Sequence, residues 1–123
     1  MILVDTSVWA DHLGKPDNAL RQLLDDGQVL MHPFVLGEIA LGSLPKRGVV
    51  LSTLGAIDQC EVASISEVEQ LIETLDLWET GVGYVDVHLI ASTIMMLDGA
   101  LWTRDQRLKT AAERLGVAAA GLV

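Results

Sequence analysis

Four acidic residues, far apart in the chain, stand where neither burial nor propensity favours a charge. They are Asp5, Glu38, Asp86 and Asp105. Carboxylate oxygens are the ligands that Mg²⁺ and Mn²⁺ prefer, and these ions keep several bound waters. Two such ions about 3.5–4 Å apart can activate a water and stabilise the leaving oxygen of a phosphodiester. If the fold brings the four carboxylates together, the chemistry they predict is metal-dependent phosphodiester hydrolysis.

Two of these acids each follow a short apolar run. Ile2 to Val4 leads into Asp5, and Ala100 to Thr103 leads to Asp105. Such runs are typical of strands buried on both faces of a parallel sheet. Because ligands of open α/β sheets bind at the carboxyl ends of the strands, both acids are expected at one edge. Asp105 could also be no more than the N-cap of the helix that follows.

A helix is predicted directly after Asp5. Thr6 and Ser7 are favourable N-cap residues, and an amphipathic segment follows from Val8 to Leu13. Asp5 could cap this helix too, although the two hydroxyl residues already provide a cap.

Glu38 and Asp86 lie on predicted helices. Glu38 is the only charge between Phe34 and Gly42, where its neighbours on both sides are expected to be buried. A lone carboxylate on such a helix is costly unless it is paired, and no lysine or arginine lies in that stretch. Asp86 lies in the first turn of the apolar helix from Val85 to Leu97, where it could simply complement the helix dipole. Metal ions are the natural counter-charge for four converging acids.

Strands and helices alternate along the chain. Helices are predicted at Val8–Leu13, Asn18–Asp26, Pro33–Gly42, Val49–Ile57, Ser66–Leu75, Val85–Leu97 and Asp105–Leu115. Strands are predicted at Ile2–Val4, Gln28–Met31, Glu61–Ala63, Ala100–Thr103 and Val117–Ala119. Ser66 and Glu69 have the spacing of a capping box. This order predicts a single α/β domain over residues 1–123, with a central parallel sheet covered by helices on both faces.

The composition excludes several classes of protein. Half of the residues are hydrophobic, the mean hydropathy is +0.40 and 4% are aromatic, which predicts an aliphatic core. No apolar run approaches the roughly 20 residues of a membrane span, and no basic region precedes the first apolar run. The single cysteine, Cys60, forms neither a disulfide nor a metal cluster within the chain. A cytoplasmic protein without membrane contact is the simplest account.

The formal charge of −9 argues, taken alone, against a nucleic-acid binder. The objection weakens if several acids surround divalent cations, because bound metal reverses the local field. An acidic chain also suits a basic protein partner.

Four segments of the chain resemble those of PIN domains, and most closely those of VapC-type toxin ribonucleases of bacterial toxin–antitoxin pairs. The segments are Ile2-Leu3-Val4-Asp5-Thr6-Ser7, His32-Pro33-Phe34-Val35-Leu36-Gly37-Glu38, Asp86-Val87-His88-Leu89-Ile90-Ala91 and Leu101-Trp102-Thr103-Arg104-Asp105. Each is weak alone, whereas four in this order over nearly the whole chain are specific.

The resemblance implies a PIN-like three-layer α/β/α sandwich with the four acids as its metal-binding and catalytic quartet. It also implies Mg²⁺- or Mn²⁺-dependent cleavage of RNA by an activated water, a homodimer, and neutralisation by a cognate antitoxin that places a basic side chain among the acids. Many family members carry a further acidic or polar residue shortly after the fourth acid. Gln106, Arg107 and Leu108 stand there in this chain, which puts occupancy of a second metal position in question.

Other side chains near the acids have two interpretations. Ser7 and Thr103 could orient a water or a phosphate, and Arg104, with Arg107, could line the mouth of the site and touch phosphate. A second basic pair, Lys46-Arg47, follows the Glu38 helix. Solvated surface charge is the simpler interpretation of both basic pairs.

The remaining histidines and large apolar residues are expected to be structural. His12, His32 and His88 show no pairing for zinc, and His88 is expected on a different side of its helix from Asp86. Packing roles are predicted for Trp9, Trp102, Trp78, Met95 and Met96, the first two in the core or a dimer contact.

Two rival functions remain. A non-catalytic binding module would use the acidic pocket only to hold a basic partner. A different metal hydrolase, such as a small phosphatase, could use a similar sheet, but Asp5-Thr6-Ser7 lacks the second aspartate that aspartyl-phosphate enzymes use.

Overall fold

A three-stranded parallel sheet forms the centre of the molecule. Its strands are β1 (Ile2–Val4), β2 (Val29–Leu30) and β3 (Ala100–Trp102), in the order β2-β1-β3. The structure, a computed structural model, describes all 123 residues. In β1, Leu3 and Val4 are fully buried, as expected for the middle strand of a sheet covered on both faces. The carboxyl ends of β1 and β3 lie side by side, with Val4 paired to Trp102.

Seven helices surround the sheet. They are α1 (Thr6–Gly14), α2 (Asn18–Asp25), α3 (Pro33–Ala40), α4 (Arg47–Gly55), α5 (Ile65–Thr74), α6 (Tyr84–Met95) and α7 (Gln106–Arg114). All seven were predicted, and their ends lie within two residues of the predicted ones. Helix α1 packs on α3, α3 on α4, α5 on α6, and α6 against β3. The predicted α/β class with a parallel sheet is confirmed.

Two of the predicted strands, Glu61–Ala63 and Val117–Ala119, do not form. Isolated parallel bridges take their place, one joining Gln59 to Met31 and one joining Ala118 to Leu101. Each bridge adds a single residue pair to an outer edge of the sheet. At the first bridge the Cys60 amide still donates to the Met31 carbonyl and Cys60 is buried; pairing ends beyond it, where Glu61 and Val62 are exposed.

The N-cap of α1 is Asp5, not the Thr6-Ser7 pair that was predicted. Asp5 has extended backbone angles, φ −71° and ψ 157°, and its side chain accepts a hydrogen bond from the Ser7 amide. The helix therefore begins at Thr6, and the hydroxyls of Thr6 and Ser7 are free for other partners.

The capping box of α5 lies two residues earlier than predicted. Ser64 and Glu67 exchange hydrogen bonds of 3.1 and 3.0 Å, rather than Ser66 and Glu69. A serine followed three residues later by a glutamate occurs twice in succession, at Ser64/Glu67 and at Ser66/Glu69. The period of the apolar residues does not show which pair begins the helix. The apolar residues of α5 pack inward, with Val68 fully buried.

Helix α6 is buried nearly all round rather than along one stripe. Its residues 87–93 are all buried, whereas Ile94, which the helical period of Val87, Ile90 and Ala91 places on the same face, is 44% exposed. A helix enclosed by neighbours on several sides has no single inward face, so the periodicity misplaces its end. Trp9 and Trp102 lie in the core as predicted, but Trp78 is 55% exposed and its neighbour Leu77 is buried instead. No helix in the structure has both the length and the apolar composition to cross a bilayer.

Candidate active site

Asp5 lies where β1 passes into α1, and hydrogen bonds hold one of its two carboxylate oxygens. Oδ2 accepts from the hydroxyls of Ser7 and Thr103, each at 2.7 Å, and from the Ser7 amide at 3.4 Å. The residue is only 6% exposed. Oδ1 receives no hydrogen bond from the protein, so the fold orients the carboxylate and leaves one oxygen for an external ligand.

The Ser7 and Thr103 hydroxyls also tie this carboxylate to the loop that opens α7. Ser7 Oγ accepts from the Arg104 amide at 3.0 Å, and Thr103 Oγ1 accepts from the Asp105 amide at 3.1 Å. The two hydroxyl oxygens are 3.3 Å apart. Both residues were predicted to orient water or phosphate, which stays a prediction. In the structure each hydroxyl donates its proton to Asp5, so both residues orient the Asp5 carboxylate.

Asp105 and Asp86 both cap helices as well as flank the site. Asp105 is the N-cap of α7, with Oδ1 accepting from the Leu108 amide at 3.1 Å. Asp86 Oδ2 accepts from the Gly83 amide at 3.0 Å at the start of α6. The simple structural interpretations of the two acids are therefore correct, but each explains only one oxygen. The other oxygen of each carboxylate has no protein donor.

Glu38 is exposed on α3, contrary to the expectation that it lies between buried neighbours. Gly37 beside it is exposed too, while Val35 and Ile39 carry the buried face of the helix. An eight-residue helix has room for an outward stripe, so an apolar sequence did not force the carboxylate inward. Thr6 Oγ1 donates to Glu38 Oε1 at 2.7 Å. The sequence interpretation missed this role, because it treated Thr6 as a helix cap.

The four carboxylates share one electrostatic environment. Burial is the largest factor that raises the pKa of Asp86, and the Gly83 amide opposes it. The negative charges of Asp5, Asp105 and Glu38 each raise the pKa of Asp86 further. None of the four acids forms an ion pair, because both salt bridges in the structure belong to Arg104. The fold thus brings three further negative charges within electrostatic range of Asp86 without supplying a cation.

The donor set fits a hard divalent cation. All candidate ligands are carboxylate oxygens, the type that Mg²⁺ and Mn²⁺ take, and these ions complete their coordination with waters. No three Asp, Glu, His or Cys side chains stand close enough together to form a ready-made ion site. The acids would therefore need to close in on an ion or reach it in part through water.

The Arg104 guanidinium is occupied by partners within the chain. It donates to Asp11 at 2.8 Å, to Asp17 at 2.6 Å, and to the Val123 carbonyl. It also lies over the Trp102 ring. Only the backbone amide of Arg104 enters the hydroxyl network around Asp5. The predicted contact of its side chain with substrate would require these bonds to break.

A buried pair of histidines packs beside the site. His32, fully buried, caps α3 by accepting from the Phe34 amide at 3.0 Å, and its ring lies 6.4 Å from that of His88. Rings of Phe34 and Tyr84 pack on His88. Burial, and secondarily the charge of His88, lowers the pKa of His32 to about 4; burial also lowers the pKa of His88. Both are neutral packing groups at pH 7, in line with the predicted structural role.

A parallel sheet of this order between helices, with Asp5 and Asp105 after two of its strands and Glu38 and Asp86 on helices α3 and α6, is the arrangement of the PIN class of α/β domain. No family model matches the chain. A chain in a solved structure of FitAB bound to an IR36 DNA fragment superposes with a TM-score of 0.63 at 20% identity, covering 96% of this chain and 92% of that one. This likeness supports the fold.

The sequence comparison is closer. Ribonuclease VapC32 of Mycobacterium tuberculosis, from strains CDC 1551 / Oshkosh and ATCC 25618 / H37Rv, is 46% identical over 120 residues, which are 98% of this chain and 97% of the relative. This chain belongs to the VapC family of PIN-domain ribonucleases. The predicted family and fold are confirmed.

Proposed function

We propose that this protein is an endoribonuclease toxin that hydrolyses RNA phosphodiester bonds with the help of Mg²⁺ or Mn²⁺. Its relatives at 46% identity are named ribonucleases. The observation that carries the proposal is that the negative charges of Asp5, Glu38 and Asp105 each raise the pKa of Asp86, while no cation pairs with any of the four acids.

In this proposal Asp5, Glu38, Asp86 and Asp105 hold the metal. When bound, a divalent cation would lower the pKa of a water and stabilise charge on the phosphate. Ser7 and Thr103 fix Asp5 so that Oδ1 faces the ligand. Thr6 holds Glu38 in the same way across the α1–α3 contact. Side chains restrained by neighbours in this manner bind without losing further freedom, which favours affinity.

Two kinds of protein partner belong to the proposal. A cognate antitoxin with a basic side chain would suit four unpaired carboxylates and a net charge of −9. A second copy of the chain would form the homodimer that the family resemblance implies.

The test compares wild type with Asp5→Asn and Glu38→Gln. Calorimetric titration with Mn²⁺ should show binding that weakens strongly in both variants. Cleavage of a structured RNA pool should fall by about 100-fold or more. Asp25→Asn is the matched control. Asp25 is exposed, and its substitution removes the same charge at a position away from the site.

Three outcomes would separate the candidates. Loss of metal binding and cleavage in Asp5→Asn, but not in Asp25→Asn, supports the nuclease. Wild-type cleavage by Asp5→Asn in metal-replete buffer would refute the quartet. A wild type that binds no metal and cuts no RNA, yet binds a basic partner, would favour the non-catalytic module.

A further inference from the structure

We propose that a cleft beside the acidic site binds a phosphate of the RNA backbone, with Arg107 as its principal contact. The inference rests on the proposed ribonuclease function and adds to it where the substrate lies. The cleft has a volume of about 200 Å³. Its lining residues are Thr80, Gln106, Arg107, Thr110, Ala111 and Arg114.

The chemistry of this cleft suits an anion. Two arginines, two threonines and a glutamine line it, and no carboxylate does. In a chain where acids outnumber basic residues by 17 to 8, a cleft with two arginines and no acid is locally basic. Arginine can hold a phosphate through two parallel N–H bonds. The hydroxyls of Thr80 and Thr110 already donate to the carbonyls of Leu77 and Gln106, so the contact with phosphate falls mainly to arginine.

Helix stability does not explain why Arg107 is where it is. Arg107 is the second residue of α7, and a cation in the first turn of a helix opposes the helix dipole. It is exposed and forms neither an ion pair nor a hydrogen bond in the structure. Its side chain is thus available to a ligand.

Contacts with the preceding loop place Arg107 next to the acids. Its side chain lies against Gly81, where an added Cβ would stand only 2.9 Å from the arginine Cδ. Two residues further, the Gly83 amide holds Asp86. The cleft therefore lies beside the loop that holds Asp86, on the helix that begins directly after Asp105.

The other arginines near the site already have partners. Arg104 is bound by Asp11 and Asp17, and Arg47 donates to backbone carbonyls at the end of α3. Arg114 donates to the Leu75 carbonyl at 2.6 Å, which fixes its charge at the far side of the cleft. Among these, Arg107 alone is uncommitted.

The test replaces Arg107 by Gln and uses Lys109→Gln as the control. Lys109 lies on the same helix outside the cleft, so both variants lose one positive charge. A labelled single-stranded RNA is titrated by fluorescence anisotropy into Arg107→Gln or Lys109→Gln chains that also carry Asp5→Asn, with Mg²⁺ and at several salt concentrations. Steady-state cleavage is measured in the chains with Asp5 intact.

Arg107→Gln should weaken RNA binding by about five- to tenfold and reduce the salt slope of log K by about 0.7, the value for one phosphate on a single strand. In cleavage, KM should rise by a similar factor while kcat stays within about twofold. Arg107→Lys should recover part of the binding, because lysine keeps the positive charge but lacks the paired N–H donors of the guanidinium.

Equal affinity and equal salt slope in Arg107→Gln and Lys109→Gln would overturn the subsite, even if wild type cuts RNA normally. A wild type that cuts no RNA would refute the nuclease proposal instead. Loss of binding confined to a basic protein partner, with RNA binding unchanged, would also overturn the subsite.

Discussion

Thr103 Oγ1 donates a 2.7 Å hydrogen bond to Asp5 Oδ2, joining residues 98 positions apart at the carboxyl ends of β3 and β1. Both residues are 6% exposed, so the bond is shielded from water. The same hydroxyl accepts from the Asp105 amide. One threonine thus sets the orientation of the first acid and the entry of the helix that carries the fourth.

Thr103→Val should impair cleavage more than folding. Valine keeps the shape of the threonine side chain but cannot donate to Asp5, and it leaves the Asp105 amide without its acceptor. We expect cleavage to fall by about 10- to 100-fold and unfolding free energy to fall by about 1–3 kcal/mol. Cleavage assays with Mn²⁺ titration and urea denaturation measure the two effects. Thr103→Ser is the control, since it retains the hydroxyl. Equal rates for the valine and serine variants would show that the bond does not orient Asp5 for catalysis.

Asp86→Asn should stabilise the metal-free protein while it abolishes cleavage. The raised pKa of Asp86 means that the folded state disfavours its charge more than the unfolded state does. Stability contributed by the neutral form is therefore lost as the pH rises above the usual aspartate range, and asparagine removes that loss. The amide oxygen can still accept from Gly83.

Thermal melts at pH 7 with a chelator test the sign of this effect. Asp86→Asn should melt above wild type, and Mn²⁺ should raise the melting temperature of wild type more than that of the variant. A lower melting temperature for Asp86→Asn without metal would contradict the electrostatic account.

Local patterns were enough to predict the helices, the middle of the sheet and the acids' positions at strand ends and helix starts. Apolar runs such as Ile2–Val4 admit few alternatives, because a strand buried on both faces must be apolar throughout. The edges were harder. Val117–Ala119 has the composition of a strand, but only one residue pair forms, since pairing at an edge depends on where the neighbouring loop runs.

The site's supporting contacts could not be predicted from local pattern. The Thr6–Glu38 bond joins two helices, and nothing in either segment alone indicates it. Arg104 is a second example. It stands beside Asp105 in the sequence and so looks available to substrate, but Asp11 of α1 and Asp17 of the following loop form ion pairs with it. Long-range partners decide which side chains remain free.

Arg104→Gln should therefore reduce stability rather than substrate binding. Asp17 and Arg104 are 23% and 26% exposed in their side chains, so their 2.6 Å pair is partly shielded, whereas Asp11 is 64% exposed. We expect a loss of about 1–2 kcal/mol in urea denaturation and a KM within about twofold of wild type. Normal stability with a raised KM would show instead that the guanidinium leaves its partners to contact RNA.

His32 predicts how stability depends on pH. Its pKa of about 4 in the folded protein lies below the usual 6.5, because burial disfavours the imidazolium and His88 adds repulsion. The unfolded chain then binds more protons than the folded one between these values, so stability rises with pH through this window. The contribution is fully present above pH 6.5 and is lost as the pH falls towards 4. Its upper bound is about 3 kcal/mol. The lowered pKa values of His12 and His88 act in the same direction.

His32→Asn isolates this contribution, since the asparagine oxygen can still accept from the Phe34 amide that His32 Nδ1 now caps. Urea denaturation from pH 4.5 to 7.5 should show that the unfolding free energy declines less steeply with falling pH in the variant than in wild type. In the middle of this window the difference in slope should correspond to roughly one proton taken up on unfolding. Asp17 and Glu67, whose pKa values are lowered, also lose stability as the pH falls through the ordinary carboxylate range, but they do so alike in wild type and His32→Asn and so cancel in the comparison. Parallel profiles for wild type and His32→Asn would show that His32 takes up its proton in the folded state as readily as in the unfolded chain.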